Sequence, residues 1–415
     1  MKSKMLAIIV RGYPRLSETF ISQEIHALEK LGLTIQIFSL QPSGDQLVHS
    51  VHEEIRANVT YLPEYPTEHL AYMWRAFGTV RKLGGFKRAF LVFLKDLRRD
   101  CTINRCRRFG QAIALAHELP EPVNHLYSHY LNRPSSVARY AAIMRQLPWS
   151  FSAHAKDIWT TPEWEKREKI ADAAWGTTCT RFGRNHLAGL APAGEQNKVM
   201  LTYHGLDVPR FPKPPVRREK RNGSDVKKPV RIVSVGRGVA KKGFDDLFNA
   251  LALLDPELNW SFVHIGDGAL LDQMKAQVDE LGLNHRVEWL GAKTRDVVIE
   301  TLRTGDLFVL ASKIDADGDR DGLPNVLMEA LSQKLPCLAT DVSGIPELII
   351  HGDSGWLVSP GDPEMMAEAM GKLIKDPALR KKLGEAGYKR LQSDFTLDKC
   401  LVQIAEHFGV GLTDV

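Results

Sequence analysis

The chain lacks any apolar run of membrane-spanning length, so nothing in it reads as a transmembrane helix. Its first apolar run, residues 6–10, is too short for the core of a secretory signal and is interrupted by Arg11. Cysteine is sparse. Cys101, Cys106, Cys179, Cys337 and Cys400 are odd in number, scattered and without a C-x-x-C pair, which excludes a disulfide framework and fits idle thiols in a reduced, cytoplasmic protein. There is no G-x-G-x-x-G fingerprint and no Walker loop. Zinc-finger spacing, an RNA-binding signature and a series of stacking aromatics are missing too, which argues against nucleic acid as a partner.

What is present is ordinary in bulk and uneven in detail. At 415 residues, 44% apolar and 25% charged, the chain can bury two or three domain cores. Net charge is +5, yet residues 75–108 hold eleven Lys or Arg against Asp96 and Asp100, a local +9 that leaves −4 for the remainder. Trp74, Phe77, Phe86, Phe90, Phe93 and Phe109 lie in or beside this stretch. Residues 74–109 therefore read either as a basic, aromatic face for an anionic membrane surface or as solvated helices that pack their aromatics into their own domain.

Short apolar runs alternate with amphipathic helical stretches along the whole chain, the pattern of α/β domains with parallel sheets and crossover helices. Seven such runs precede residue 208 and six follow residue 229. Residues 209–229, rich in Pro, Lys, Arg, Gly and Ser, read as a linker. The expected organisation is a Rossmann-like domain over 1–208, a linker over 209–229 and a second Rossmann-like domain over 230–395. A final helix within 396–415 could cross back to the first domain. Two such domains would face a cleft at the carboxyl ends of their strands, where open α/β sheets bind ligands.

The run 319–340 carries the densest chemistry. Asp321 precedes the turn Gly322-Leu323-Pro324, a helix is expected from about Asn325, and Glu329 follows one turn inside. Proline suits a first helical turn, and the free N–H groups behind it attract anions. Backbone amides there can hold a phosphate while the two carboxylates grip neighbouring hydroxyls, which suits a sugar nucleotide. The same residues also describe an ordinary loop-helix junction with solvated acids. At the head of the second half, Gly236 and Gly238 let the backbone turn tightly, and Arg237 and Lys242 add a planar fork and a mobile point charge suited to a diphosphate. A solvated basic turn is the alternative. In the first half, His129 and His154 end successive expected strands and can reach a ligand there, although a lone histidine is more often structural. His204-Gly205-Leu206-Asp207 reads as a structural turn.

These motifs carry a resemblance. The chain is similar over nearly its full length to family 4 retaining glycosyltransferases of the GT-B fold. Residues 13–21 resemble the opening of the branch that includes colanic-acid-type exopolysaccharide enzymes, and 152–157, 204–207, 236–243, 321–329 and 343–347 match family motifs in order. The resemblance implies an acceptor-binding first domain and a nucleotide-sugar-binding second one. It gives Arg237 and Lys242 the donor diphosphate, Glu329 the ribose, Asp321 the sugar hydroxyls and His154 the neighbourhood of the reacting carbon. Gly236, Leu323, Pro324 and Asn325 belong to the donor site, Ser17 adds backbone donors for the phosphates, Gly291 lies against the base, and His129 faces the acceptor. No metal and no cofactor are expected, because the cations serve the diphosphate where other glycosyltransferases use a divalent ion.

One departure stands out: the family's acidic pair usually opens with Glu, and Asp321 reaches roughly 1.5 Å less. The implied activity is transfer of a hexose-type sugar from a nucleotide diphosphate donor to a lipid-linked or oligosaccharide acceptor, with retention, on the cytoplasmic side and peripheral to the membrane. A catalytically silent scaffold and a sugar-nucleotide epimerase on the same fold are the rivals.

Overall fold

Residues 6–10 are apolar at every position, not at alternate ones, which calls for a strand covered on both faces. The structure, a computed structural model that describes residues 5–15, 18–44, 50–216 and 218–410, meets that demand: Leu6, Ala7, Ile8, Ile9 and Val10 are at most 3% exposed. They belong to β1 (Met5–Val10), followed by β2 (Thr34–Ser39), β3 (Asn58–Tyr61), β4 (Val123–His129), β5 (Trp149–Ala153), β6 (Trp175–Thr178) and β7 (Val199–Leu201). The second set is β8 (Val230–Val235), β9 (Trp260–Ile265), β10 (Val287–Gly291), β11 (Leu307–Leu310), β12 (Cys337–Thr340) and β13 (Trp356–Val358).

The chain divides into two compact units. Residues 1–202 with 401–415 form one, and residues 203–400 the other. The first holds a seven-stranded sheet in the order β3-β2-β1-β4-β5-β6-β7, the second a six-stranded sheet in the order β10-β9-β8-β11-β12-β13, and every pairing named is parallel. Strand order reverses between β1 and β4 in one unit and between β8 and β11 in the other. Such reversals open a crevice at the carboxyl ends of the strands. In β8, Val230 and Ile232 enter one core layer and Val233 and Val235 the other, so the sheet is covered on both faces.

The linker stretch and the final helix both make fixed contacts. Residues 209–229 do not hang free: the Arg218 guanidinium donates to the carbonyl oxygens of Leu302, Arg303, Gly305 and Gln333, Arg221 pairs with Asp306 at 3.1 Å, and Phe211 is buried. The stretch is strapped onto the second unit. The final helix, Leu397–His407, begins in the second unit and from Leu401 counts with the first, where the Phe408 ring lies 5.3 Å from Trp175 and 5.4 Å from Tyr127.

The basic stretch folds as the helices Leu70–Val80, Phe86–Arg99 and Ile103–Glu118. Phe93 and Phe109 stack at 4.3 Å inside the first unit, and five of the eleven cations, Lys95, Arg99, Arg105, Arg107 and Arg108, pair with its carboxylates. Own-domain packing is thus right for half of the stretch. The other half faces out: Arg75, Arg81, Lys82, Lys87, Arg88 and Arg98 are exposed beside Leu70, Trp74, Phe90, Leu91, Leu94 and Ile103.

A buried charge network ties these helices to the site-bearing strand ends. Glu165 accepts from Lys169 (2.6 Å), Arg105 (2.7 Å), Arg108 (3.1 Å) and Ser136 (2.8 Å), and Lys169 also donates to the carbonyls of Leu131 and Asn132, in the turn that follows β4. Burial would push the Glu165 carboxyl up, but Lys169 and Arg105 hold it well below the usual range. Glu165→Leu leaves those cations uncompensated and is expected to cost about 3–5 kcal/mol at pH 7, read as a lower urea midpoint. A group with a depressed folded-state pKa stabilises above its unfolded value, so the deficit should shrink as pH falls below about 4.

Candidate active site

In the second unit the crevice between β8 and β11 is built by the segments that leave those strands. After Val235 the backbone runs through Gly236 and Arg237 into a short 3-10 turn, Ala240–Lys242, and then into the helix Phe244–Ala252. The turn is tight because Gly236 N–H donates to Ile265 O and Gly238 N–H to Asp267 O, both at 2.9 Å. Gly243 makes the entry feasible: at φ +60° a Cβ there would fall 1.9 Å from the Ala311 carbonyl oxygen, so no other residue fits against the end of β11. Lys242 is thereby aimed at the loop after β11.

Asp321 waits there. Its Oδ2 accepts from Lys242 Nζ at 2.7 Å and from Ser312 Oγ at 2.7 Å, Lys241 Nζ stands 3.8 Å from Oδ1, and Lys241 also reaches Asp319 at 3.2 Å. Asp321 is 8% exposed. Burial alone would raise its pKa, yet Lys242 and Lys241 hold it below the ordinary carboxylate value. The short aspartate is therefore the counter-ion of the lysine pair, and Asp319, outside the motif register, shares that work. Arg237 is exposed and pairs with no carboxylate among the described residues.

The helix expected near Asn325 spans Asn325–Ser332, with Pro324 extended at its N-cap and Leu323 buried beneath it. Glu329 lies one turn in. Burial raises its pKa above the ordinary value, and Arg295, at the head of the helix Arg295–Thr304, pulls it back in part. Arg295 stacks on the Phe211 ring at 4.0 Å. Nothing in the local sequence marked it, because it reaches Glu329 only through the fold. Gly291 closes β10 at φ +68°, and its carbonyl accepts from Gly266 N–H at 3.0 Å.

In the first unit His129 ends β4 and His154 follows β5 directly. Their rings stack at 5.5 Å and 8°, with His129 Nδ1 3.4 Å from His154 Nε2. Asp157 accepts from the backbone N–H of Leu131 (2.7 Å), His154 (3.1 Å) and Ala155 (3.0 Å), which fixes both strand ends. Ser17 lies outside the described residues. Gly205 has the structural role expected: an added Cβ would come 2.4 Å from Leu397 Cα, and Asp207 pairs with Arg210 at 2.7 Å.

This arrangement sets two lysines, an arginine and two unlike carboxylates around one strand-end crevice. Glu329 is the costly member, since a raised folded-state pKa means that folding opposes its ionisation. That penalty is absent below the unfolded value and grows as pH rises through the folded one. Glu329→Gln is accordingly expected to be more stable than the parent at neutral pH, with the two converging below about pH 4. Thermal unfolding across pH 3–8 checks it; a variant less stable throughout would contradict the account of this carboxyl.

Comparison with known proteins places the chain. Residues 216–390 match the family model of the glycosyl transferases group 1. WcaL of Salmonella typhimurium, assigned to colanic acid biosynthesis as a glycosyltransferase, is 27% identical over 378 residues, covering 88% of this chain and 89% of WcaL. The amylovoran biosynthesis glycosyltransferase AmsK of Erwinia amylovora is 31% identical over 210 residues, 50% of each chain. The solved structure of Anabaena HepE in complex with UDP-glucose shares the fold, with a TM-score of 0.72 at 16% identity over 97% of this chain and 99% of that one. The chain thus has the two Rossmann-like parallel-sheet units of a GT-B fold, matches the glycosyl transferases group 1 over residues 216–390, and is similar over most of its length to glycosyltransferases of the colanic-acid type.

Proposed function

We propose that the protein is a retaining glycosyltransferase that moves a hexose-type sugar from a nucleotide diphosphate donor to a lipid-linked or oligosaccharide acceptor in exopolysaccharide or cell-envelope synthesis. The observation that carries this is the 2.7 Å contact of Lys242 with Asp321, which joins a phosphate-type cation to a sugar-type carboxylate at one strand-end crevice. The Lys242 ammonium has three donors; one serves Asp321 and the others are available to phosphate oxygens. Arg237 supplies a planar fork to the same diphosphate. Together they stabilise the charge that develops on the departing nucleotide, which is usually the largest single contribution to lowering a barrier of this kind. Such a site needs no divalent ion.

Around that centre Glu329 takes the ribose hydroxyls, Asp321 the sugar hydroxyls, Gly236 and the backbone of Leu323, Pro324 and Asn325 the phosphates, and Gly291 the base. From the first unit His154 serves the reacting carbon, His129 the acceptor, and Ser17 the phosphates. The acceptor hydroxyl attacks from the face that the nucleotide leaves, and its proton passes to the departing phosphate oxygen. No side chain becomes a covalent nucleophile, and the short reach of Asp321 suits that. Solved relatives of the same fold hold UDP and UDP-glucose, which makes a UDP-hexose the first donor to try.

The exposed half of the basic helices supports work at an anionic membrane surface on the cytoplasmic side. Six cations there would contribute about 1 kcal/mol each near anionic lipid, and Trp74, Leu91 and Phe90 can enter the headgroup layer. Among the described residues no helix is long and apolar enough to cross a membrane.

A thermal-shift series with UDP-, GDP- and ADP-sugars should single out one donor, and turnover with membrane lipid extract should survive EDTA. Arg237→Ala and Lys242→Ala are each expected to lower kcat by about 100-fold or more. Variants that match the parent would overturn the assignment. Release of an isomerised nucleotide sugar without acceptor would favour the epimerase, and donor binding without turnover, revived by Asp321→Glu, the silent scaffold. For the surface, the protein should sediment with phosphatidylglycerol vesicles and not with phosphatidylcholine ones. Lys87→Glu with Arg88→Glu, or 0.5 M salt, should release it; retention under both would refute the electrostatic contact.

A further inference from the structure

Glu24 was marked by no motif. It sits on the helix Thr19–Lys30 that leaves β1, only 5% exposed, with Oε1 3.6 Å from His129 Nε2. His129 is wholly buried, and its other ring nitrogen lies 3.4 Å from His154 Nε2. A carboxyl and two imidazoles thus stand in file across the reversal point of the first sheet, ending at a histidine just beyond a strand's carboxyl end. Groups that face this file are Tyr127 from β4, Tyr130 from the turn after it, Ser152 from β5, Cys179 just after β6, Asp157 from the helix after β5 and Glu18 from the head of the first helix. Phe20 closes it with a ring 4.8 Å from His154. Among the described residues no arginine or lysine pairs with Glu24; burial pushes its carboxyl up to about 8, and the Tyr127 hydroxyl draws it back only in part.

We propose that Glu24 and His129 are positioning residues that set which ring nitrogen of His154 carries its proton. The proposal rests on the reading of His154 as a group that serves sugar transfer. When Glu24 is protonated, a small rotation that closes the 3.6 Å gap lets its O–H donate to His129 Nε2, His129 Nδ1–H donates to His154 Nε2, and His154 carries its proton on Nδ1. When Glu24 is ionised, it accepts from His129 Nε2–H, His129 Nδ1 accepts from His154 Nε2–H, and His154 Nδ1 is bare. Between the two states the Glu24 proton passes to His129 Nε2, the His129 Nδ1 proton passes to His154 Nε2, and the proton on His154 Nδ1 leaves the file, so three protons become two and the count balances at every atom. Whatever meets His154 Nδ1 finds a donor in the first state and an acceptor in the second. Neutral pH favours the first.

The test needs two readouts. In protein labelled with 15N at the histidine rings, with His154 assigned through His154→Gln, the proton of His154 is expected to move from Nδ1 to Nε2 with a midpoint near pH 8. In Glu24→Gln, whose amide cannot ionise and offers the same donor and acceptor at every pH, the His154 tautomer should not change through pH 8. With a turned-over donor, kcat of the parent should decline about tenfold per pH unit above that midpoint, and Glu24→Gln should lose the decline with donor KM unmoved. Glu24→Ala, which can do neither, should lower kcat at every pH, and Glu24→Gln should restore it at neutral pH. A His154 proton that stays on one nitrogen from pH 6 to 9.5 in the parent overturns the proposal, with no variant needed. A proton that moves as expected in a protein that turns over no donor supports the relay and rejects the transferase reading, so the two failures are distinguishable.

Discussion

The pairing of Lys242 with Asp321 constrains more of the second unit than any other contact. An aspartate 8% exposed cannot stay ionised without a cation, and a lysine brought to it must leave water as well. Meeting both demands fixes the surroundings. The backbone must turn through glycines after β8, Gly243 must accept a left-handed φ against the Ala311 carbonyl, and Ser312 must offer its hydroxyl from the end of β11. The strand order then does the rest, because β8 and β11 are the neighbours between which the sheet reverses. A buried pair of this kind adds little net stability against an apolar replacement. Its persistence in a crevice is better understood as preorganisation, with charge held ready for a ligand that carries both phosphates and hydroxyls.

The first unit solves a related problem differently. Two of its groups of buried titratable residues contrast. Glu165 gathers Arg105, Arg108 and Lys169 and holds the turn after β4, which is structural work. Glu24 pairs with no lysine or arginine among the described residues, and it stands with His129 and His154 where the strands end. The contrast separates a carboxyl held well below its usual range from one pushed up to about 8, and only the second can change state near neutral pH.

Much of the architecture was legible because parallel strands covered on both faces must be largely apolar, as 6–10 is at every position and 230–235 is at all but Arg231 and Ser234. The start of the helix at Asn325 was legible through Pro324, and its two acids through their spacing. Contacts made only by tertiary approach were not: Lys242 meets Asp321 across 79 positions, and Arg295 reaches Glu329 with no shared motif. The 18-residue helix Pro377–Asp394 escaped notice although Asp376 caps it, because its packed face is made of Arg380, Gly384 and Gly387 as much as of leucine. The Cβ that Gly384 lacks would strike the Lys334 carbonyl at 2.2 Å, so close packing there needs the residue that weakens the helical signal. The basic stretch was ambiguous for a good reason, since half of its aromatics and cations face inward and half outward.

A structure of the protein with its nucleotide sugar tests the central claim most directly. The account requires phosphate oxygens within hydrogen-bond reach of Lys242 Nζ and the Arg237 guanidinium, with a sugar hydroxyl at Asp321 and the ribose at Glu329. A donor seated with its diphosphate away from Lys242, leaving that lysine and Asp321 paired only with each other, would contradict it.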